Sequence, residues 1–274
     1  MKFGFVFPGS DAVKAVAFAQ EAEVAGWDGF FVWEPVWGVD PWVTLGAAAA
    51  RTSRIRLGTM ITPVSRRRPW KLAGEVATVD QLSNGRAILS VGLGALDTGF
   101  ANFGEETDRR VRAELLDEGL EIITGLWRGQ PFNFSGKHYT VHETTFMPPA
   151  SPVQQPRVPI WVVGAWPRPK SMARALRYDG LLPNLFGADG ASVPITPEAV
   201  RAMKAYVDEH RSATTPFDIV VEGETPGDDA PAAAAKVRPL AEAGATWWIE
   251  AIWTALDLDH VLARLRQGPP PSTN

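Results

Sequence analysis

Residues 54–94 constrain the fold more tightly than any other stretch of the chain. Ile55 to Ile61 is a short apolar run with Gly58 and Thr59 inside it, the pattern of a strand buried on both faces of a parallel sheet. Trp70 to Leu82 then carries apolar residues at helical spacing, and Ser83-Asn84-Gly85 closes that run with residues suited to a left-handed cap. Ala87 to Leu93 is a second buried strand. Strand, helix, tight turn and strand in this order make a βαβ unit, and such units place their chemistry in the loop that follows each strand.

The same joint recurs from end to end. Lys2 to Phe7 reads as a first strand, Ser10 or Asp11 as the N-cap of a helix that Gly26 ends, and Asp28 to Glu34 as a second strand. Asp40-Pro41 opens the next helix. Later strands fall at Ile160 to Gly164, Gly180 to Pro183, Phe217 to Glu222 and Thr246 to Glu250, each followed by a helical pattern. Eight strands and eight helices in 274 residues match one closed barrel, which typically takes ~250 residues. The expectation is an α/β protein, a (β/α)8 TIM barrel forming a single domain over residues 1–267. Gly129 to Pro159 breaks the rhythm with six prolines and few helical repeats. It is expected as an irregular covering insertion with a small hairpin near Ser135-Gly136. The Pro-rich tail, 268–274, is expected to be disordered.

Composition narrows the function classes. The absence of cysteine excludes disulfides, thiolate metal sites and a Cys nucleophile together. A formal charge of -4 and a pI near 5.7 argue against a nucleic-acid or anionic-membrane partner. No run approaches the ~18 apolar residues of a membrane span, so a cytoplasmic protein with a small-molecule substrate is the expectation. No metal-ligand spacing, Walker loop or G-x-S-x-G motif occurs.

The motifs have a family likeness. I-R-L-G-T followed by P-x-S-R-R-R-P, V-D-Q-L-S-N-G-R and a Gly-rich strand end resembles the luciferase-like flavin monooxygenases and their deazaflavin (F420) relatives. The similarity runs on through F-G-E-E-T-D-R-R, L-L-D-E-G-L-E-I-I-x-G-L-W-R-G, F-S-G-K-H-Y and W-V-V-G-A-W-P, from Met1 to about Gly180. The resemblance implies an enzyme, a flavin-dependent oxidoreductase of the luciferase-like class. The expected form is a two-component monooxygenase that uses reduced FMN from a separate flavin reductase, with O2, on a small organic substrate. F420-dependent hydride transfer and a non-catalytic flavin-binding protein are the alternatives, and a homodimer is a further expectation. It also implies a cis peptide between Met60 and Ile61 against the cofactor ring, with Gly92 and Gly94 bordering the same cavity and Gly58 leaving room for the ring.

In a barrel the strand C-termini carry the site. Gly164, Ala165, Arg168 and Ser171 lie where a strand enters a helix. Glycine permits close approach, the helix start offers N–H groups and the side chains add charge and a hydroxyl: either a phosphate cradle or a basic surface turn. Arg66-Arg67-Arg68 is likewise either a second phosphate site or a solvated loop that meets acidic helices. Glu34, Asp97 and Glu250 are the candidate proton donors, each also readable as a salt-bridged rim residue. Relatives place a histidine after the acidic residue at position 34; here Pro35 stands there. Trp33, Trp161, Trp166 and Trp253 are either aromatic walls or core.

Overall fold

The computed structural model describes residues 1–145, 151–187, 189–254 and 257–271. The strands are β1 (Lys2–Phe7), β2 (Gly29–Val32), β3 (Arg56–Thr59), β4 (Thr62–Pro63), β5 (Ala87–Gly92), β6 (Phe132–Ser135), β7 (Thr140–Thr144), β8 (Ile160–Trp166), β9 (Gly180–Phe186), β10 (Ser192–Val193), β11 (Asp218–Gly223) and β12 (Trp247–Glu250). The helices are α1 (Ala12–Val24), α2 (Pro41–Ala49), α3 (Pro69–Leu82), α4 (Arg109–Arg128), α5 (Pro169–Leu176), α6 (Pro197–His210), α7 (Ala230–Ala243) and α8 (Leu258–Arg266). Eight parallel strands close in the order β1-β2-β3-β5-β8-β9-β11-β12, with β12 pairing back to β1. The expected (β/α)8 barrel is therefore the fold, and a short antiparallel strand, β10, is added beside β9.

The strands are apolar on both faces because both faces are covered. Side chains of Val6, Phe31, Ile88, Trp161, Leu182, Val220, Trp247 and Ile249 fill the barrel interior. Alternate residues, such as Phe5, Leu57, Leu89 and Trp248, pack outward against the helices. The lower interior is an aromatic plug. Phe31 stacks on Trp161 at 5.6 Å between ring centroids, and Trp161 meets Trp247 edge-on at 5.1 Å.

Phe31 fits because its neighbours have no side chains. A Cβ at Gly4 would lie 2.7 Å from its ring, at Gly29 2.8 Å and at Gly58 3.0 Å, and at Gly58 also 2.6 Å from the Ile88 carbonyl oxygen. Gly58 thus makes room for Phe31, not for a cofactor ring as the resemblance had suggested. A Gly58→Ala variant is expected to lose roughly 1–3 kcal/mol, because the clash includes backbone that cannot rotate away. Its urea midpoint checks this, and an unshifted one would mean that β3 can slide from β5 at no cost.

The described part of the insertion covers the flank of the barrel at α4 and the end near Asp80. β6 and β7 form the expected hairpin, with the Gly136 N–H bonded to the Tyr139 carbonyl, and it is fastened to the outside of α4. There Glu118 accepts from the backbone N–H groups of Lys137, His138 and Tyr139. The returning segment is pinned at the other end of the barrel by buried Asp80, which accepts from the N–H groups of Val153 and Gln154 and from the Gln154 amide. Pro148 and Pro149 lie outside the described residues. Part of the expected disordered tail is packed: the Gly268 carbonyl accepts from Arg264 and Pro270 is buried, while 272–274 lie outside the described residues. Among the described residues no helix is long and apolar enough to cross a membrane.

Candidate active site

At the C-terminal ends of the strands the plug gives way to an open cavity of about 1460 Å³. Its floor is apolar, with Met60, Ile61, Val163, Leu182 and Val220 among its lining. Met60 and Ile61 sit in the break between β3 and β4, and the peptide between them is cis. Gly94 lines the cavity with φ at 79°, and a Cβ there would lie 2.7 Å from the Phe100 ring. Arg112 reaches from α4 to hold this turn. Its Nη1 donates to the carbonyls of Leu93 and Gly94 at 2.7 and 3.2 Å, and its guanidinium lies over Phe100. Burial lowers its pKa, and its Nε has no hydrogen-bond partner among the described residues.

One wall is the start of α5. Ala165, Arg168 and Ser171 line the cavity, with Lys170 beside them. This turn largely closes on itself: the Ala165 N–H donates to Ser171 Oγ at 2.9 Å and the Arg168 N–H to the Ala165 carbonyl at 2.8 Å. Ser171 still has its O–H to donate, and Arg168 is propped over the Phe186 ring. Any anion here meets side chains first. Gly164 does not take part, since a Cβ there would strike the Leu181 side chain; its glycine serves packing. Gly92 is likewise beneath the surface, wedged against Val163 and Ile61.

The three carboxylates expected as proton donors are elsewhere. Glu34 is buried below Arg67, whose Nε donates to Oε1 at 2.8 Å, and Glu34 does not line the cavity. Burial raises its pKa against the pull of Arg67, Thr62 and Arg66. Arg67 also binds Glu75 and Asp40, and Arg66 caps the carbonyls of Pro35 and Val36, so two of the three arginines in that run are structural clamps. Asp97 is exposed on a 3-10 turn outside the cavity lining. Glu250 is 0% exposed and points outward, toward α8. The strand-end rule found the right layer but not the face: on β12, Trp247 and Ile249 point in, so Glu250 points out.

One carboxylate at a strand end does reach the cavity. Glu222, at the end of β11, pairs in register with inward Ile249 and lines the cavity with Trp253. Its side chain is exposed in the cavity, yet desolvation by the protein around it raises its pKa, an effect that Trp253 partly opposes. Of the four tryptophans singled out, only Trp253 lines this cavity: Trp161 is in the plug, Trp33 hydrogen-bonds the Gly9 carbonyl, and Trp166 packs on Tyr206. Among the described residues no group of three or more His, Asp or Glu is arranged to hold a metal ion.

A closed parallel barrel with a wide cavity at its strand C-termini, an apolar floor and a cationic wall is the form of a cofactor-dependent barrel enzyme. The chain belongs to the luciferase-like monooxygenase family, whose match spans residues 3–267. It is 33% identical over 163 residues to the F420-dependent glucose-6-phosphate dehydrogenase of Amycolatopsis mediterranei, covering 56% of this chain and 47% of that protein. It is 31% identical over 134 residues to the oxygenase component of a flavin-dependent trigonelline monooxygenase of Acinetobacter baylyi, covering 49% of this chain and 36% of the other. These alignments span under half the length of each curated relative. The fold superposes on the coenzyme F420-dependent tetrahydromethanopterin reductase of Methanopyrus kandleri with a TM-score of 0.76 at 18% identity, over 98% of both chains.

Proposed function

We propose that this oxidoreductase binds a flavin-type cofactor in the cavity, and that the cofactor is the deazaflavin F420, used for hydride transfer with a small organic substrate. The observation that carries the choice is the charge of the wall. Arg110 and Arg174 are paired with Glu114 and Asp117, but Arg109, Arg112, Arg168 and Lys170 have no ion-pair partner among the described residues. FMN would set one phosphate against these cations, whereas F420 adds a string of carboxylates beyond its phosphodiester. A relative named as F420-dependent supports the same choice.

The fit is good in shape as well as charge. The apolar floor at Met60 and Ile61 would back the planar ring, the Arg168 and Lys170 side chains with the Ser171 hydroxyl would hold the phosphate, and Arg112 would keep the Gly94 turn in place. When bound, the deazaflavin supplies hydride transfer; the chain's part is orientation and exclusion of water. The second reading, reduced FMN delivered by a separate reductase for oxygen transfer, draws on the Pro35 that replaces histidine and on the trigonelline monooxygenase relative.

Fluorescence titration of the purified protein with F420 and FMN side by side tests the choice. Tight binding of F420 with none of FMN is expected, and the reverse would establish the second reading. In the same titration Arg168→Ala should weaken binding roughly ten- to a hundredfold, the loss of one charged hydrogen bond worth about 1.5–3 kcal/mol. Unchanged affinity would move the phosphate toward Arg109 and Arg112.

A further inference from the structure

The barrel order places β3 third and β11 seventh of eight strands, so they stand on opposite sides of the mouth. Met60 and Ile61 follow β3, and Glu222 ends β11 on its inward face. A planar ring backed by Met60 and Ile61 therefore turns its free face toward Glu222 and Trp253, and the space between is where a substrate must lie. That space is bordered by Leu182 and Val220, with Asn184 as a second polar group. Resting on the cofactor reading above, we propose that Glu222 is the catalytic carboxyl that exchanges a proton with the oxygen of a neutral alcohol or carbonyl substrate, with Trp253 sharing its stretch of the cavity wall.

The step balances without another reagent. Oxidation of the alcohol breaks its C–H bond, the electron pair leaving with hydrogen to the cofactor, and breaks its O–H bond, the proton passing to the Glu222 carboxylate; C=O remains. Reduction of a carbonyl runs the reverse course from protonated Glu222. The mostly apolar border and the lack of a cation paired with Glu222 among the described residues suit a neutral substrate, because a bound anion would meet the carboxylate unscreened. Desolvation supports the assignment, holding the proton on Glu222 further toward neutral pH than on an ordinary glutamate.

Other charges face the same cavity. The start of α4 brings Asp108, Arg109, Arg110 and Arg112, and α5 with its cap brings Arg168, Lys170 and Arg174. The carboxylate nearest in register on the flanking strand, Glu250, is turned outward. None of these is among the causes of the Glu222 shift, which are burial and Trp253 alone. The titration should therefore belong to Glu222 itself.

Glu222→Gln and Trp253→Phe test the proposal without a known substrate. The absorbance of bound F420, or of FMN if that is what binds, is recorded against pH for the three proteins. Glu222→Gln should keep its cofactor affinity and lose one pH transition of the bound spectrum, and Trp253→Phe should move that transition to higher pH, since the indole stabilises the carboxylate. Thermal midpoints give an independent reading. The folded state holds this proton more tightly than the unfolded chain, so the wild-type carboxyl opposes folding increasingly as pH rises from the usual glutamate value of about 4.5 through its raised one. Glu222→Gln should accordingly melt higher than wild type at neutral pH, with the gap closing in acid. Superimposable pH spectra with intact cofactor binding would overturn the role of Glu222 and leave the cofactor assignment standing. If wild type bound neither cofactor, the functional reading would fall, and the role of Glu222 with it.

Discussion

Replacing Arg264 by alanine is expected to lower the stability of the folded protein by about 3–5 kcal/mol, the usual result of leaving one member of a buried ion pair alone. Glu250 is fully buried and accepts from the Thr225 N–H at 2.6 Å, the Thr225 hydroxyl at 2.7 Å and the Trp248 indole at 3.1 Å. Arg264 supplies the opposing charge at 3.4 Å, and it also donates to the Thr225 carbonyl and hydroxyl and to the Gly268 carbonyl. Its removal strips the carboxylate of its counter-charge and two backbone carbonyls of a donor at once. Urea denaturation measures the loss. A Glu250→Leu/Arg264→Met double variant should recover much of it, since a well-packed apolar pair carries no desolvation cost. A single-variant loss below about 1 kcal/mol would show that the three hydrogen bonds to Glu250 suffice without the cation.

Trp161→Ala should cost a similar amount, about 3–5 kcal/mol, for a different reason. The indole fills the barrel between Phe31 and Trp247 and donates to Asp218 Oδ2 at 3.0 Å. Strands in a closed ring cannot move inward to collapse the vacated space, so the variant keeps both the cavity and an orphaned carboxylate oxygen. Trp161→Phe should lose less than the alanine variant in the same denaturation series. Equal losses would mean that the hydrogen bond to Asp218, not the packing, is what the plug depends on.

How far the sequence disclosed this enzyme depends on which periodicity was at stake. The barrel was legible because every strand is covered on both faces and therefore reads as an unbroken apolar run between glycine-closed helices. Strand ends were less legible. Gly180–Phe186 runs three residues beyond its apolar core, because Asn184 and Phe186 lie along the cavity and β10 pairs there. Of the expected cofactor residues, Met60, Ile61, Gly94, Ala165, Arg168 and Ser171 line the cavity, while Gly92 and Gly164 are packing positions. The carboxylates went astray because adjacent residues at a strand end face opposite ways, and the choice between them is set by register with a neighbour distant in sequence. Glu222 beside Ile249 faces in; Glu250, one residue further along its own strand, faces out. Arg112 was invisible for another reason, since it reaches the site from a helix and only the packing of α4 on the β5 turn brings it there.

The wall of the cavity divides along the chain. Every residue assigned to hold the cofactor falls between positions 60 and 171, whereas Leu182, Asn184, Val220, Glu222 and Trp253 all come after them in the chain. The two faces of the reacting layer are thus encoded in separate, contiguous stretches that meet only when the barrel closes. A chimera that keeps the first stretch and takes the second from another member of the family would inherit its redox partner from one parent and its choice of substrate from the other. In such a molecule the joint belongs in the loop between α5 and β9, where the exchange cuts no strand.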